Sequence, residues 1–223
     1  MLLCQGYHTC LVGVQHEAAD AAMLGYDYWF DEDCHHSEFI RRDTAACTRA
    51  ADYLLHYQEE KPFFMSVGFI NTHRRYPEAP ADFVNPDYVK PPMTIPDTKE
   101  NRKDMADFMY SARIADDSVG VVLDALKRSG REDDTIVIFT TDHGIAFPFM
   151  KCSCYDTGIG VTLIMKFAGN QAAGKVSDSL ISQIDVYPTL CDLLEIEKPD
   201  YLQGRSFAGL FDNPELEINE EVF

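Results

Sequence analysis

The sequence predicts an α/β fold, with a mainly parallel sheet flanked by helices on both faces. Strand-like and helix-like segments alternate along the 223 residues without internal repeats, which is the order of a parallel sheet with helical connections. Residues 63–69, FFMSVGF, are apolar on both faces, as a strand covered by helices on both sides must be. With 46% hydrophobic residues, the chain is also long and apolar enough to bury a core.

The first half of the chain supplies two strands and a helix. Residues 7–14 are predicted to form the first strand, and residues 63–69 the central strand of the sheet. Between them, residues 43–60 are predicted to form a helix whose N-cap is Asp43 or Thr44. Its inward face carries apolar residues at helical spacing: Ala50, Tyr53, Leu54 and Tyr57.

The second half begins with a proline-rich loop over residues 76–96, which is long enough to be a candidate rim for a site. A helix is predicted over residues 101–129, with Gly130 as its stop. Its predicted inward residues are Met105, Phe108, Met109, Ala112, Val119, Val122, Leu123 and Leu126. Two further strands are predicted at residues 135–140 and 161–167, and a further helix is predicted near residues 186–195.

The charge balance excludes several classes of partner. A net charge of −18 disfavours nucleic acids and anionic membranes, because phosphate groups reward clusters of lysine and arginine. An anionic substrate must therefore meet a local basic pocket. No segment is apolar and long enough for a membrane span, and the first residues, MLLCQGYHTC, lack the features of a signal peptide, so the compartment stays open.

Polar side chains follow two of the predicted strands. One strand end reads FINTHR, residues 69–74, and the other reads TTDHG, residues 140–144. In parallel sheets, ligands bind beyond the carboxyl ends of the strands, where loops converge. Asp142 and His143 offer a carboxylate oxygen and an imidazole nitrogen, which suit a divalent cation but need at least about two further ligands. The alternative is that Asp142 caps the following turn and His143 is a satisfied polar residue.

Longer blocks around these strand ends stand in the order GYHTCLVGVQH, KPFFMSVGFINTHRRYP, YSARIADDSVGVVLDALKRSG, TTDHGIAFPFMKCSCYDTGIGVTLIM and ISQIDVYPTLCDLLEIEKPDYLQGRSF. Together they span nearly all of the chain. In order and spacing they resemble the sulfatase family of the alkaline-phosphatase superfamily, especially its heparan N-sulfatase-like (sulfoglucosamine sulfohydrolase-like) bacterial members. The resemblance implies an alkaline-phosphatase-like domain that hydrolyses sulfate esters or sulfamates, with a sulfated carbohydrate as substrate.

The resemblance also implies roles for single residues. Asp142 matches the family's metal aspartate, and His143 stands where many members have asparagine. Ca²⁺ is the metal that the resemblance implies, although calcium favours oxygen ligands. Lys151 matches the basic residue that holds the sulfate and neutralises charge during transfer. His73 matches the histidine that protonates the leaving group, and His16 matches the histidine that hydrogen-bonds the nucleophile.

Four further positions qualify this assignment. Arg74 adjoins His73 at the same strand end, which predicts a second-rank substrate contact. A lysine that the family carries in the first block is Val14 here, so one sulfate contact is absent or replaced. His35 and His36 resemble a metal cluster by composition, but neighbours on an extended chain point to opposite faces, which favours a surface loop.

The family's nucleophile is a formylglycine made from the cysteine of a C-x-(P/A)-x-R signature, which this sequence lacks. The run from Cys47 to Arg49 has neither the proline or alanine nor the correctly spaced arginine, and the paired acids of the family's metal site are also missing. Residues 1–223 are therefore expected to be a partial sulfatase catalytic domain, without the N-terminal nucleophile segment and the C-terminal subdomain. An N-terminal segment or a companion chain would supply the nucleophile, and the chain alone would be inactive.

Three functions stay open at this point. The first is a fragment of a hydrolase acting on O- or N-sulfated sugars, which the FPFMK block favours. The second is a phosphate or phosphonate monoester hydrolase of the same superfamily, which Asp142 and His143 permit. The third is a non-catalytic domain that binds anions or carbohydrates.

Overall fold

Five strands and four α-helices alternate along residues 5–30, 39–167 and 173–222, the part of the chain that a computed structural model describes. The strands are β1 (His8–Gly13), β2 (Tyr28–Phe30), β3 (Phe63–Gly68), β4 (Val137–Thr140) and β5 (Leu163–Lys166). The helices are α1 (Phe39–His56), α2 (Lys99–Arg128), α3 (Asp156–Ile159) and α4 (Val186–Leu193). The predicted α/β order is confirmed, whereas His35 and His36 lie outside the described residues.

The main sheet has the strand order β2-β1-β3, and both pairings are parallel. The centre of this sheet is therefore β1, whose residues Cys10 and Val12 are fully buried. The prediction that residues 63–69 form the central strand is wrong for this sheet, because β3 lies at its edge among the described strands. Apolar residues on both faces report that a strand is covered above and below, and they carry no information about how many strands flank it. Strands β4 and β5 form a second sheet of two strands.

Helix α1 covers the main sheet and contributes Ala46 and Ala50 to a core cluster with Cys10 and Val12. The helix begins at Phe39, four residues before the predicted cap. Asp43 consequently lies inside the helix, fully buried, and the prediction that Asp43 or Thr44 caps it is wrong. The hydrophobic pattern could not set this boundary, because Asp43 falls on the inward stripe of the helix and interrupts its apolar signal.

Helix α2 begins after Thr98, whose hydroxyl accepts a hydrogen bond from the Asn101 amide, and Gly130 follows its end with a φ of 74°. Glycine adopts this left-handed conformation without strain, as the predicted stop requires. The predicted inward face is wrong in part, because Met109 and Leu123 are 38% and 43% exposed. The buried residues of α2 are mostly small: Ala106, Ser111, Ser118, Ala125 and Leu126.

The chain divides into two compact units. One comprises Met1–Asp133 and Phe139–Leu163, and the other comprises Asp134–Ile138 and Ile164–Phe223. All six predicted site residues belong to the first unit. Within the described ranges, no helix is both long enough and apolar enough to cross a bilayer.

The second unit is organised around the buried side chain of Asp185, which precedes α4. Its carboxylate accepts hydrogen bonds from the backbone amides of Ser182 and Arg205, at 2.9 and 2.7 Å, and from the Asn219 side chain at 2.9 Å. The Thr189 hydroxyl donates to the Asp185 carbonyl at 2.6 Å. A buried carboxylate with three donors thus holds three separate segments of this unit together.

Candidate functional site

The carboxyl ends of β1 and β3 meet at a pair of glycines. Gly13 lies opposite Gly68 in the parallel register, and the Val14 amide donates to the Gly68 carbonyl at 2.9 Å. Gly13 has a φ of 81°, and a Cβ on it would lie 2.2 Å from the Gly68 oxygen. Only glycine fits this approach. The chain then delivers His16, which is exposed, just beyond this edge of the sheet.

The segment that follows β3 is anchored by Asp43 of α1. The Asp43 carboxylate accepts hydrogen bonds from the backbone amides of Ile70 and Asn71, at 2.7 and 3.0 Å, and from the Asn71 side-chain amide at 2.7 Å. The Ser111 hydroxyl of α2 donates to Asn71 Oδ1 at 2.7 Å. Burial raises the pKa of Asp43, although these donors oppose the shift. The buried network fixes the segment that leads to His73.

His73 itself is exposed, and its Nδ1 lies 2.5 Å from the Arg74 carbonyl oxygen. Because a carbonyl only accepts, Nδ1 carries the hydrogen of this contact. A proton that this ring gives or takes would therefore pass through the other ring nitrogen, Nε2. Exposure of the ring lets a ligand reach it.

Arg74 joins the loops that follow β3 and β4. Its Nε donates to the Ala146 carbonyl at 2.6 Å, while Nη1 and Nη2 donate to the two carboxylate oxygens of Asp104 at 3.0 and 2.5 Å. The rings of Tyr76 and Phe147 lie 4.6 and 4.9 Å from its central carbon. The Asp104 carboxylate raises the pKa of Arg74, so the guanidinium stays charged.

Asp142 and His143 are adjacent at the end of β4. The His143 Nδ1 donates to the Gly144 carbonyl at 2.7 Å, and Nε2 lies 3.2 Å from Asp142 Oδ2. In the neutral imidazole with this tautomer, Nε2 and the carboxylate are both acceptors. Such a pair is stable when the ring is protonated or when a cation lies beside both atoms. The Asp142 side chain is 85% exposed, which leaves it accessible to ligands.

These two residues fit a divalent cation in kind but supply only part of its ligand set. Ca²⁺ takes about six to eight oxygen ligands, whereas Asp142 and His143 offer one carboxylate and one imidazole. Within the part of the chain that the structure describes, no group of three or more His, Cys, Asp or Glu side chains could hold a metal ion. A complete metal site would need further ligands in addition to Asp142 and His143.

Lys151 lies on a loop that is folded against itself. Its backbone amide donates to the Ile145 carbonyl at 3.1 Å, and the Gly144 amide donates to the Gly158 carbonyl at 2.9 Å. Phe149 is held with a φ of 62° while its carbonyl accepts from the Thr157 hydroxyl at 2.9 Å. These bonds fix the path of the loop, so the half-buried position of Lys151 is set by the backbone around it.

The structure brings five of the six predicted residues onto two loops in mutual contact. His73 and Arg74 lie on one loop, Asp142, His143 and Lys151 lie on the other, and the Arg74 bond to Ala146 links them. His16 follows the neighbouring strand β1. These placements leave the assigned roles as predictions.

Sequence reasoning missed the residues that support these loops: Asp43, Asn71, Asp104 and Ser111. A signal for Asp43 existed, because it lies on the inward stripe of α1 with Ala46, Ala50 and Leu54. A carboxylate on the buried face of a helix must find donors elsewhere in the fold. Nothing in the local sequence indicated which donors these would be.

The chain is similar in sequence to sulfatases. A family model described as Sulfatase matches residues 1–196. N-sulphoglucosamine sulphohydrolase of Homo sapiens is 27% identical over 226 residues, covering 90% of this chain and 45% of the human protein. The chain therefore spans less than half the length of this relative.

The fold is similar to that of two solved structures. A protein in complex with its substrate D-glucosamine-2-N,6-O-disulfate has a TM-score of 0.76 at 16% identity, covering 96% of this chain and 63% of that chain. Phosphonate monoester hydrolase of Agrobacterium radiobacter has a TM-score of 0.73 at 17% identity, covering 97% of this chain and 61% of that chain. At these identities the likeness shows the fold alone, and it confirms the predicted alkaline-phosphatase-like architecture.

Proposed function

This chain belongs to the sulfatase family, and from that premise we propose that it forms part of a hydrolase of O- or N-sulfated sugars. The observation that carries the proposal is the Arg74 bond to Ala146, at 2.6 Å. Through it, the loop with an exposed imidazole adjoins the loop with a cation-binding pair and a lysine. An acid, a partial metal site and a positive charge are three of the groups that sulfate transfer requires, besides a nucleophile.

Each side chain has a separate task in this proposal. The Lys151 ammonium group pairs with the sulfate oxygens, which this chain of net charge −18 would otherwise repel. His73, when both ring nitrogens carry a proton, gives the Nε2 proton to the leaving alcohol or amine. His16 donates a hydrogen bond to the nucleophile.

A divalent cation, Ca²⁺ by family resemblance, would be held in part by Asp142 and His143 and would neutralise charge on the transferring sulfate. The family's formylglycine would supply the nucleophile. Because no C-x-(P/A)-x-R signature occurs in the sequence, none of these residues provides it, and we expect no turnover by this chain alone. An N-terminal segment or a companion chain would add the nucleophile and the remaining metal ligands.

The test is made in a longer form that carries a nucleophile segment, with p-nitrophenyl sulfate as substrate. Lys151→Ala should lower kcat by about a hundredfold or more, the scale seen when one preorganised charge stabiliser is lost. Lys127→Ala is the matched control, because Lys127 is exposed on α2 and should leave turnover unchanged. Near-normal turnover in Lys151→Ala would remove Lys151 from the proposal.

Two other outcomes would redirect the functional assignment. Faster hydrolysis of a phenylphosphonate ester than of the sulfate ester would favour a phosphonate monoester hydrolase, in keeping with the fold shared with the Agrobacterium radiobacter enzyme. Lys151-dependent binding of sulfated sugars without any turnover would favour a binding domain.

The chain alone should bind Ca²⁺ only weakly by calorimetry, because two ligands are too few for this ion.

A further inference from the structure

The bonds of Arg74 indicate a role that differs from substrate binding. We propose that Arg74 and Asp104 form a positioning pair that fixes the Lys151 loop against the His73 loop, an inference that rests on the proposed function of these loops. All three nitrogens of the guanidinium donate to protein acceptors, namely Ala146 O and both oxygens of Asp104. A guanidinium that is committed in this way holds two protein segments in place.

One stripe of α2 organises this arrangement. Asp104, Phe108 and Ser111 recur at spacings of four and three residues, so they lie along the same side of the helix. Asp104 holds Arg74, and Ser111 holds Asn71. Phe108 packs edge-on against the rings of Tyr76 and Phe147, with centroids 5.5 and 6.1 Å apart. The helix therefore holds the segment after β3 near both ends of that segment, at Asn71 and at Arg74.

Arg74 also connects α2 to the loop that follows β4. Its Nε reaches Ala146, which lies 72 residues further along the chain, and the Phe147 ring next to Ala146 covers its central carbon at 4.9 Å. The Tyr76 hydroxyl donates to the same Ala146 carbonyl at 3.3 Å. Lys151 is bonded back to Ile145, immediately before Ala146, so a shift of Ala146 would be transmitted to Lys151.

The geometry calls for arginine in particular. Arginine presents donors in a planar fork that matches both oxygens of a carboxylate, whereas lysine has a single charged centre on a flexible stem. Lysine at position 74 would keep the charge and lose either the Asp104 fork or the Ala146 bond. The variant Arg74→Lys therefore separates positioning from charge.

The test measures amide hydrogen exchange and ring resonances of the full chain by NMR. The variants are Arg74→Lys and Asp104→Asn, with Arg102→Lys as the control. Arg102 also pairs with an aspartate through two nitrogens, at 2.5 and 2.7 Å, but its partner is Asp97. The reporters are backbone amides of the Lys151 loop that donate within it, those of Phe147, Met150 and Lys151.

Arg74→Lys and Asp104→Asn should each speed exchange of these reporter amides by about tenfold, equivalent to about 1.4 kcal/mol, and shift the His143 ring resonance. The amides of β1 should exchange at wild-type rates in both variants. In the control Arg102→Lys, the reporter amides should also exchange at wild-type rates. Reporter exchange within about twofold of wild type in Arg74→Lys would overturn the proposal. Asp104→Asn keeps the test decisive if Arg74 variants fold poorly, because the asparagine is isosteric.

A second readout separates positioning from substrate contact. In the longer form that hydrolyses p-nitrophenyl sulfate, Arg74→Lys should lower kcat by at least about tenfold with KM within about twofold, because the groups that bind the ground state are retained. A raised KM at unchanged kcat would assign Arg74 to the substrate and overturn the proposal. Failure of the proposed function would instead appear as wild-type protein without Lys151-dependent turnover, whatever the exchange result.

Discussion

Replacement of Asp43 should destabilise the first unit more than replacement of an exposed aspartate on the same helix. The Asp43 side chain is fully buried and accepts three hydrogen bonds, from two backbone amides and one side-chain amide. In Asp43→Ala these three donors lose their acceptor inside the protein. A buried donor left without a partner costs about 1–3 kcal/mol, so the loss before compensation is several kcal/mol.

Part of this loss is offset, because the variant no longer buries a carboxylate, and burial already raises the pKa of Asp43. We therefore expect Asp43→Ala to lower the free energy of unfolding by about 3 kcal/mol. Asp52→Ala is the control, because Asp52 lies on the same helix with 60% of its side chain exposed. It should change stability by less than about 0.5 kcal/mol.

Urea unfolding followed by the fluorescence of Trp29 measures these differences. Trp29 is the only tryptophan of the chain and lies on β2, in the sheet that α1 covers. A loss below about 1 kcal/mol in Asp43→Ala, within reach of ordinary surface substitutions, would refute the argument that the network around Asn71 depends on this carboxylate.

The same residue predicts a dependence on pH. A carboxyl group whose pKa is raised in the folded state holds its proton more strongly there than in the unfolded state. Its stabilising contribution is complete below the unfolded pKa and is lost as the pH rises through the folded pKa. The stability difference between wild type and Asp43→Asn should therefore be larger near about pH 4 than near about pH 7; a larger difference at the higher pH would contradict the raised pKa.

Two further predictions concern backbone conformation and thiols. Gly13→Ala should destabilise the chain by at least about 2 kcal/mol, because Gly13 has a φ of 81° and a Cβ there would lie 2.2 Å from a carbonyl oxygen. Gly120→Ala should stabilise it by about 0.5–1 kcal/mol, because Gly120 is inside α2 and a Cβ there would meet nothing within 4 Å; urea titrations of both variants check the contrast, and equal effects would contradict it. Cys152 and Cys154 are exposed, whereas Cys10 is fully buried and burial raises its pKa to about 12. Ellman's reagent should label the exposed pair in the native protein and reach Cys10 only in urea, and labelling of Cys10 at the native rate of the pair would show that β1 opens readily.

Several elements could be predicted because their signals are local. The strands at 135–140 and 161–167, the helix near 186–195 and the stop at Gly130 are confirmed by the structure. Each depends on residues close in sequence, through side-chain periodicity or the backbone freedom of glycine. The position of chemistry-bearing residues after strand ends was readable for the same reason, since Asp142 and His143 directly follow an apolar run.

The order of strands and the support of the site were decided by tertiary contacts. An apolar strand pattern reports cover on two faces, and it is the same for β1 at the centre of the main sheet and β3 at its edge. Asp43 finds its donors 27 and 28 residues away, at Ile70 and Asn71.

The sequence by itself determined the α/β class and the family resemblance, and it supplied the candidate site residues. Only the tertiary structure decided that Arg74 donates its hydrogen bonds to Asp104 and Ala146, which lie 30 and 72 residues away. The physical reason is that a charged side chain takes the role set by the partners and burial around it. Those partners come together only when distant segments pack.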